Sequence, residues 1–167
     1  MRKTKVLVFV GLLISMDIIL TRFLSFQALT IRVDFGFIPV SMLSMLFGPV
    51  IGGIGAGLAD ILGMIIAPKG PYFPGFTLTA IIRGIIFGLV LYKKEKTFGR
   101  IAAAVLLTTV ITDLGLNTIC VSILYKKAVS AFFAGRLVKS AVMLPVQILM
   151  IYGVWNSVGA FVKNNLL

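Results

Sequence analysis

Hydrophobic residues in this chain form long, nearly uninterrupted runs, separated by short polar connections or by connections rich in proline and glycine. A helix that crosses the hydrocarbon core of a bilayer needs about 20 mostly apolar residues. The runs therefore predict an all-α membrane protein, with one segment too short to span alone. We expect a single integral membrane domain over residues 1–167, with six helices at about 6–24, 36–47, 50–67, 76–92, 101–124 and 132–161.

The composition supports this interpretation and narrows the chemistry. Hydrophobic residues make up 59% of the chain and charged residues only 13%, whereas a soluble domain has about 25% charged residues. The chain has no histidine and a single cysteine, Cys120. The commonest general base and the commonest metal ligand are therefore missing, and no disulfide can form within the chain. We expect no catalytic residues, no metal site and no cofactor.

The basic residues indicate an orientation. The net charge is +11, but the lysines and arginines lie in short loops and at the N-terminus, without the basic stripe typical of proteins that bind nucleic acid. Cytoplasmic loops of membrane proteins are enriched in lysine and arginine. The loop KKEKTFGR at 93–100 and the N-terminal MRKTK therefore predict that both termini face the cytoplasm. The apolar run after MRKTK is too long for a signal peptide, so we expect it to be retained as the first helix.

Several charged residues fall inside or beside the apolar segments. A charge at the centre of a bilayer costs about 2.5–3.5 kcal/mol or more, so such residues usually face a bundle interior or a wet cavity and mark a functional site. Most converge on the outer half of the predicted bundle. Asp17 lies deeper, and we expect it to be structural. The candidate substrate-binding residues are Arg22, Asp60, Tyr72, Phe76, Thr77, Arg83, Asp113, Asn117, Arg136 and Lys139.

The residue types in this set suggest the kind of ligand. Arginine and lysine outnumber aspartate in it, and an excess of buried cations favours an anionic ligand. The guanidinium fork matches a carboxylate, while Asp and Asn complement a ring bearing amino and amide groups. Two alternatives remain open. Arg22, Arg136 and Lys139 could extend to the headgroups, and Arg83 could form a structural ion pair with Asp60 or Asp113.

The connection GPYFPGFT, at 70–77, adds aromatic chemistry. Tyr72 and Phe76 could stack on a planar ring, and the prolines would keep the loop stiff as it closes over a ligand. The alternative is an aromatic belt at the membrane interface. In the first helix, Gly11 and Ser15 form a small-xxx-small pair on one face. This face could pack against another helix of the chain or against a second membrane protein.

The chain resembles the substrate-binding S components of energy-coupling-factor (ECF) vitamin transporters in its size, its six segments and its Gly11/Ser15 face. Residues 35–63 and 70–92 are most similar to the folate-specific group. The resemblance implies uptake of folate across a bacterial plasma membrane, together with a transmembrane coupling subunit and two cytoplasmic ATPases. It also implies docking of the coupling subunit on Gly11 and Ser15, where the family usually has two alanines. The gate loops would contain Arg32, Asp34, Phe73, Pro74 and Gly75.

Other functions remain open. Pantothenate or biotin would also supply a carboxylate, with less need for stacking. A membrane enzyme would lack the usual catalytic groups, because the chain has neither histidine nor a nucleophile-elbow motif. It has no P-loop either, so ATP hydrolysis would belong to partner subunits. In a structural or assembly protein, the buried charges would only pair with one another.

Overall fold

The computed structural model describes residues 2–27, 32–68, 70–126 and 129–159. Five of the helices in these ranges are long and apolar enough to cross a membrane, and one is shorter. The predicted all-α membrane fold with six helices is confirmed. The helices are α1 Arg2–Arg22, α2 Phe37–Phe47, α3 Pro49–Ile66, α4 Pro74–Leu91, α5 Phe98–Tyr125 and α6 Val129–Val154. The connection between α1 and α2 also contains two short antiparallel strands, β1 Phe26–Gln27 and β2 Arg32–Val33.

Every helix except α2 begins one to four residues before its predicted start, and the largest difference, four residues, is at α1. Both α3 and α4 begin on a proline, at Pro49 and Pro74. Proline suits the first turn of a helix because the amide hydrogen it lacks would have no partner there. Gly48 before α3 has a φ of 91°, a conformation that favours glycine. Because α4 begins on Pro74, it starts two residues before the predicted position. Helix α6 continues into a π-helical turn at Trp155–Gly159, and residues 160–161 of the predicted sixth helix lie outside the described ranges.

Helices α3 and α4 pack backbone against backbone. A Cβ atom at Gly84 would clash with the main chain of Gly52 and Gly53, and one at Gly88 would clash with Pro49. The hydroxyl of Ser44, on α2, lies 2.9 Å from the Gly84 carbonyl oxygen. Small residues allow this approach in membranes, where van der Waals contact drives helix association. The glycines of α3 thus fix the wall on which α4 presents its side chains.

Helix α2 is buried along nearly its whole length, which explains how so short an apolar helix fits inside a membrane bundle. The hydrophobic core beside it includes Phe87, Leu91, Ile101, Val105 and Ile151. These residues fill the half of the bundle in which α4 ends and α5 begins. Polar side chains are accordingly concentrated in the opposite half.

Helix α5 contains a π-helical turn at Thr109–Leu116. At the end of this turn the main-chain N–H of Asn117 donates to the carbonyl oxygen of Thr112, five residues earlier. Such turns insert one extra residue into an α-helix and often occur at functional sites. Here the turn carries Asp113, so the irregular backbone lies where the predicted site lies.

Candidate functional site

A cavity of about 230 Å³ opens in the half of the bundle where α1, α3 and α5 end and α4 and α6 begin. It is lined by side chains from all six helices and from the loop before α4. The lining residues are Asp17, Thr21, Arg22, Asp34, Gly36, Phe37, Val40, Ala56, Asp60, Met64, Gly70, Pro71, Tyr72, Phe73, Phe76, Thr79, Ala80, Arg83, Asp113, Asn117, Val121, Leu124, Tyr125, Arg136, Lys139, Ser140, Met143 and Gln147.

One side of the cavity is organised around the Asp60 carboxylate. Arg22 Nη2 lies 3.0 Å from Asp60 Oδ1, and the Thr77 hydroxyl donates to Asp60 Oδ2 at 2.8 Å. The Tyr72 hydroxyl lies 3.2 Å from Thr77 Oγ1. Arg22 is only 3% exposed, so its guanidinium does not reach out towards the headgroups. This cluster joins α1, α3, α4 and the loop before α4.

The other side is organised around Asp113, in the π-helical turn. Arg83 Nη2 donates to Asp113 Oδ1 at 2.6 Å, and Asn117 Nδ2 lies 3.3 Å from the same oxygen. Arg136 Nη1 donates to the main-chain carbonyl of Asp113 at 3.2 Å. The arrangement brings two guanidinium groups, from α4 and α6, to one residue of α5. Lys139 lines the same wall, and no described side chain forms an ion pair with it.

Aromatic side chains lie at the mouth of the cavity. The rings of Phe73 and Phe76 meet edge to face with centroids 5.9 Å apart. Tyr72 is 52% exposed although its hydroxyl points to Thr77. Half-exposed rings beside polar groups can cover a planar ligand without leaving unsatisfied donors of their own.

Most of the predicted binding residues line the cavity, and one does not. Thr77 is buried behind the wall, where it contacts the ligand space only through Asp60 and Tyr72. Of the predicted gate residues, Asp34 and Phe73 line the cavity. Pro74 and Gly75 instead form the first turn of α4, and the side chain of Arg32 lies outside the described part of the chain.

The structure corrects the predicted charge balance. The sequence prediction counted an excess of cations because it treated Asp17 as structural and Asp34 only as part of a gate. Both side chains line the cavity, so four basic and four acidic groups face it among the described residues. Arg83 also forms an ion pair with Asp113, one of the two carboxylates that the sequence analysis named as possible structural partners for it. What remains special is how the basic groups are arranged: Arg83 and Arg136 both donate to Asp113, and Lys139 lines the same cavity without an ion pair to any described carboxylate.

Several lining residues were missed from the sequence. Ser140, Met143 and Gln147 extend the wall formed by Arg136 and Lys139 along α6. Residues three or four apart share one face of a helix, so the spacing 136, 139/140, 143 and 147 could have identified this stripe once Arg136 was chosen. Thr21 and Phe37 gave no such signal. No group of His, Cys, Asp and Glu side chains in the described residues could hold a metal ion.

The small-residue face of α1 points away from the bundle. Gly11 has no neighbouring atom within 4 Å of where its Cβ would be. The Ser15 hydroxyl, which is exposed, donates back to the Gly11 carbonyl oxygen at 2.9 Å. The face therefore does not pack against another described helix of this chain, which leaves lipid or a second protein to cover it.

Comparison with known proteins agrees with this architecture. The family model for the ECF transporter substrate-specific component matches residues 5–155. The folate transporter FolT of Clostridium novyi is 46% identical over 158 residues, which cover 95% of this chain and 92% of the relative. FolT of Leuconostoc mesenteroides is 31% identical and covers 92% and 86%. A crystal structure described as FolT bound with folic acid superposes with a TM-score of 0.88 and 37% identity, covering 92% and 94%. The chain belongs to the family of substrate-specific components of ECF transporters.

Proposed function

We propose that this protein binds folate in the cavity and is the substrate-binding subunit of an ECF-type importer. The observation that carries the proposal is the arrangement of charged groups in the cavity. On one wall Arg83 and Arg136 both donate to Asp113, with Lys139 lining the cavity beside them; on the other the Asp60 carboxylate pairs with Arg22. The relatives named as folate transporters, and the related structure named as bound to folic acid, support the same ligand.

The two ends of folate match the two walls. Its glutamate tail carries two carboxylates, which suit guanidinium forks and an ammonium group. Its pterin ring carries amino and amide N–H donors, which suit the carboxylate oxygens of Asp17 and Asp60. We therefore place the tail against α6 and the pterin towards α1 and α3, with Tyr72 and Phe76 covering the ring. Lys139 is the most available cation for the tail, because no described carboxylate pairs with it.

This arrangement favours folate over the other vitamins considered. Pantothenate and biotin each supply one carboxylate and lack an aromatic ring with the amino and amide donors of a pterin, so they would match fewer of the polar groups on the Asp60 side of the cavity. Unmatched buried polar groups weaken binding by about 1–3 kcal/mol each. A purely structural role would not require the cavity, since the ion pairs could form in a closed core.

A titration tests the ligand directly. We expect the protein, purified in detergent and stripped of bound vitamin, to bind folate with a sub-micromolar Kd and to bind pantothenate and biotin at least about 100-fold more weakly, which corresponds to about 2.8 kcal/mol. Calorimetry would measure the affinities for all three vitamins. Tighter binding of either competitor would contradict the proposal, and so would no binding of folate.

Partner subunits follow from the same proposal. The Gly11/Ser15 face is exposed on α1 and small enough for close approach of a second helix. We place the transmembrane coupling subunit there, with two cytoplasmic ATPases attached to it. This chain would then be a non-catalytic subunit of a complex in a bacterial plasma membrane, with both termini in the cytoplasm and the cavity facing outward, as the basic loop at 93–100 suggests.

A leucine at Gly11 is expected to disrupt this docking without disturbing the cavity. Gly11→Leu should reduce co-purification of the coupling subunit by about tenfold or more, since a bulky side chain keeps two helices apart. Folate affinity should stay within about twofold because nothing in the bundle contacts Gly11. The matched control is Gly153→Leu, at another glycine with nothing within 4 Å. Equal loss of the complex in both variants would contradict the assignment.

A further inference from the structure

The Asp60 carboxylate connects the mouth of the cavity to α1 through an ordered set of hydrogen bonds. Because a carboxylate only accepts, the Thr77 hydroxyl must give its one hydrogen to Asp60 Oδ2, 2.8 Å away. The Tyr72 hydroxyl must then donate to Thr77 Oγ1, at 3.2 Å. The other carboxylate oxygen accepts from Arg22 Nη2 at 3.0 Å. The path thus leads from the loop before α4, through Thr77 and Asp60, to the last residue of α1.

Arg22 is a strong attachment point for α1. Its guanidinium lies on Gly63, where a Cβ atom would clash with it, and Nη1 lies 3.0 Å from the Met64 sulfur. Nη2 also donates to the Asp60 main-chain oxygen at 3.1 Å. Most of α1 is exposed, and only 11% of its membrane-spanning part is buried in the bundle. The contact between Arg22 and Asp60 therefore helps to hold the C-terminal end of α1 in place, together with the buried Asp17 and Ile18.

We propose that Thr77 and Arg22 are positioning residues which couple occupancy of the cavity to the seating of α1. Asp60 is the group they share: it lines the cavity, accepts from both and retains lone pairs for a ligand donor, since a carboxylate can accept about four hydrogen bonds. The inference rests on the proposed function for the identity of the ligand. It changes the role predicted for Thr77 and Arg22, from contacts with folate to residues that act through Asp60.

The direction of the coupling follows from solvent exposure. The Asp60 side chain, which lines the cavity, is 19% exposed and that of Arg22 only 2%, so water reaches the ion pair mainly at Asp60. A ligand over Asp60 and Tyr72 removes this water, and an ion pair is stronger where the dielectric constant is lower. Binding therefore tightens the attachment of α1, and by reciprocity a firmly seated α1 raises the affinity for the ligand.

Hydrogen exchange on the full chain in nanodiscs tests the coupling. We expect saturating folate to slow amide exchange in the last turn of α1, Ile18–Arg22, by about tenfold, within the usual range of coupling between sites. In Thr77→Val this folate-dependent slowing should be clearly smaller, because Asp60 Oδ2 loses the hydrogen bond that holds the carboxylate in place for Arg22. The matched control is Thr108→Val. Thr108 is also only 3% exposed, but it lies outside the cavity and its hydroxyl contacts only the main-chain oxygens of Ala104 and Val105 in its own helix.

The outcomes separate this inference from the proposed function. If the wild-type protein binds folate but exchange in α1 does not change, the coupling is wrong while the ligand assignment survives. Equal slowing in Thr77→Val and wild type, or equal loss in both threonine variants, also overturns it. Should Thr77→Val fail to bind folate, Tyr72→Phe carries the same test, because it removes only the first hydrogen bond. It should then show less slowing than the wild type at saturating folate.

Discussion

Replacing Arg83 by alanine is expected to weaken folate binding by about 100-fold, equivalent to about 2.8 kcal/mol. Arg83 lines the cavity and donates to Asp113 at 2.6 Å. Its removal would delete a guanidinium proposed to face the glutamate tail and leave the Asp113 carboxylate uncompensated. Truncating one member of a buried, hydrogen-bonded charge pair commonly costs about 2–5 kcal/mol. Titration with folate would measure the loss.

Two controls separate binding from stability in this experiment. Arg100→Ala makes the same change at an exposed residue outside the cavity and should leave the Kd within about twofold, as should Lys126→Ala. The double variant Arg83→Met/Asp113→Asn replaces the ion pair by neutral groups of similar size, so it should recover thermal stability without recovering affinity. Similar losses of affinity in Arg83→Ala and Arg100→Ala would refute the placement of the site.

Gly84→Ala is expected to lower the free energy of unfolding by about 3 kcal/mol, at the upper end for an overpacked core. A methyl group there would meet the main chain of Gly52 and Gly53, and backbone atoms cannot move aside as a flexible side chain can. The two helices must separate, which also removes the Gly84 carbonyl from the Ser44 hydroxyl. The apparent melting temperature in detergent should fall by about 6–12 °C.

The control variant, Gly153→Ala, is expected to leave stability unchanged or to raise it slightly. Gly153 lies within α6, and a Cβ atom added to it would have no neighbouring atom within 4 Å, so Gly153→Ala gains helix propensity without a clash. Alanine is about 1 kcal/mol more favourable than glycine in a helix. The Gly153→Ala protein should therefore melt at the same temperature as the wild type or slightly above it. A Gly84→Ala protein as stable as the wild type would show that the backbone contact between α3 and α4 is looser than described.

The apolar runs were sufficient to predict six helices because a bilayer demands length and hydrophobicity, which the sequence displays directly. Charges inside those runs were similarly informative. Arg83 and Asp113 were chosen only because a charge inside a bilayer is energetically costly, and both line the cavity. The helix ends were less predictable: the predicted helices at 50–67 and 76–92 leave out Pro49 and Pro74, on which α3 and α4 begin. Proline is compatible both with a break between two helices and with the first turn of a helix. Which of the two a given proline marks depends on how the neighbouring helices pack.

The charge balance of the site could not be obtained from the sequence. It depends on how far Asp17 and Asp34 turn towards the cavity, which is set by contacts between distant segments. The fit of Arg22 onto Gly63 is of the same kind, because it joins residues of α1 and α3 that no local periodicity relates. For Thr77 the sequence predicted a contact with the ligand that the structure does not show. Its hydroxyl donates to Asp60 behind the wall of the cavity.

The π-helical turn at Thr109–Leu116 has a consequence for any engineering of α5. One extra residue in an α-helix rotates everything beyond it by about 100° relative to a regular helix. Removing a single residue from this turn would restore regular geometry and swing Asn117, Val121 and Tyr125 away from the ligand space, although no lining side chain had been altered. Fusions, insertions or grafted segments in α5 must therefore treat the residues on either side of the turn as two separate helical registers.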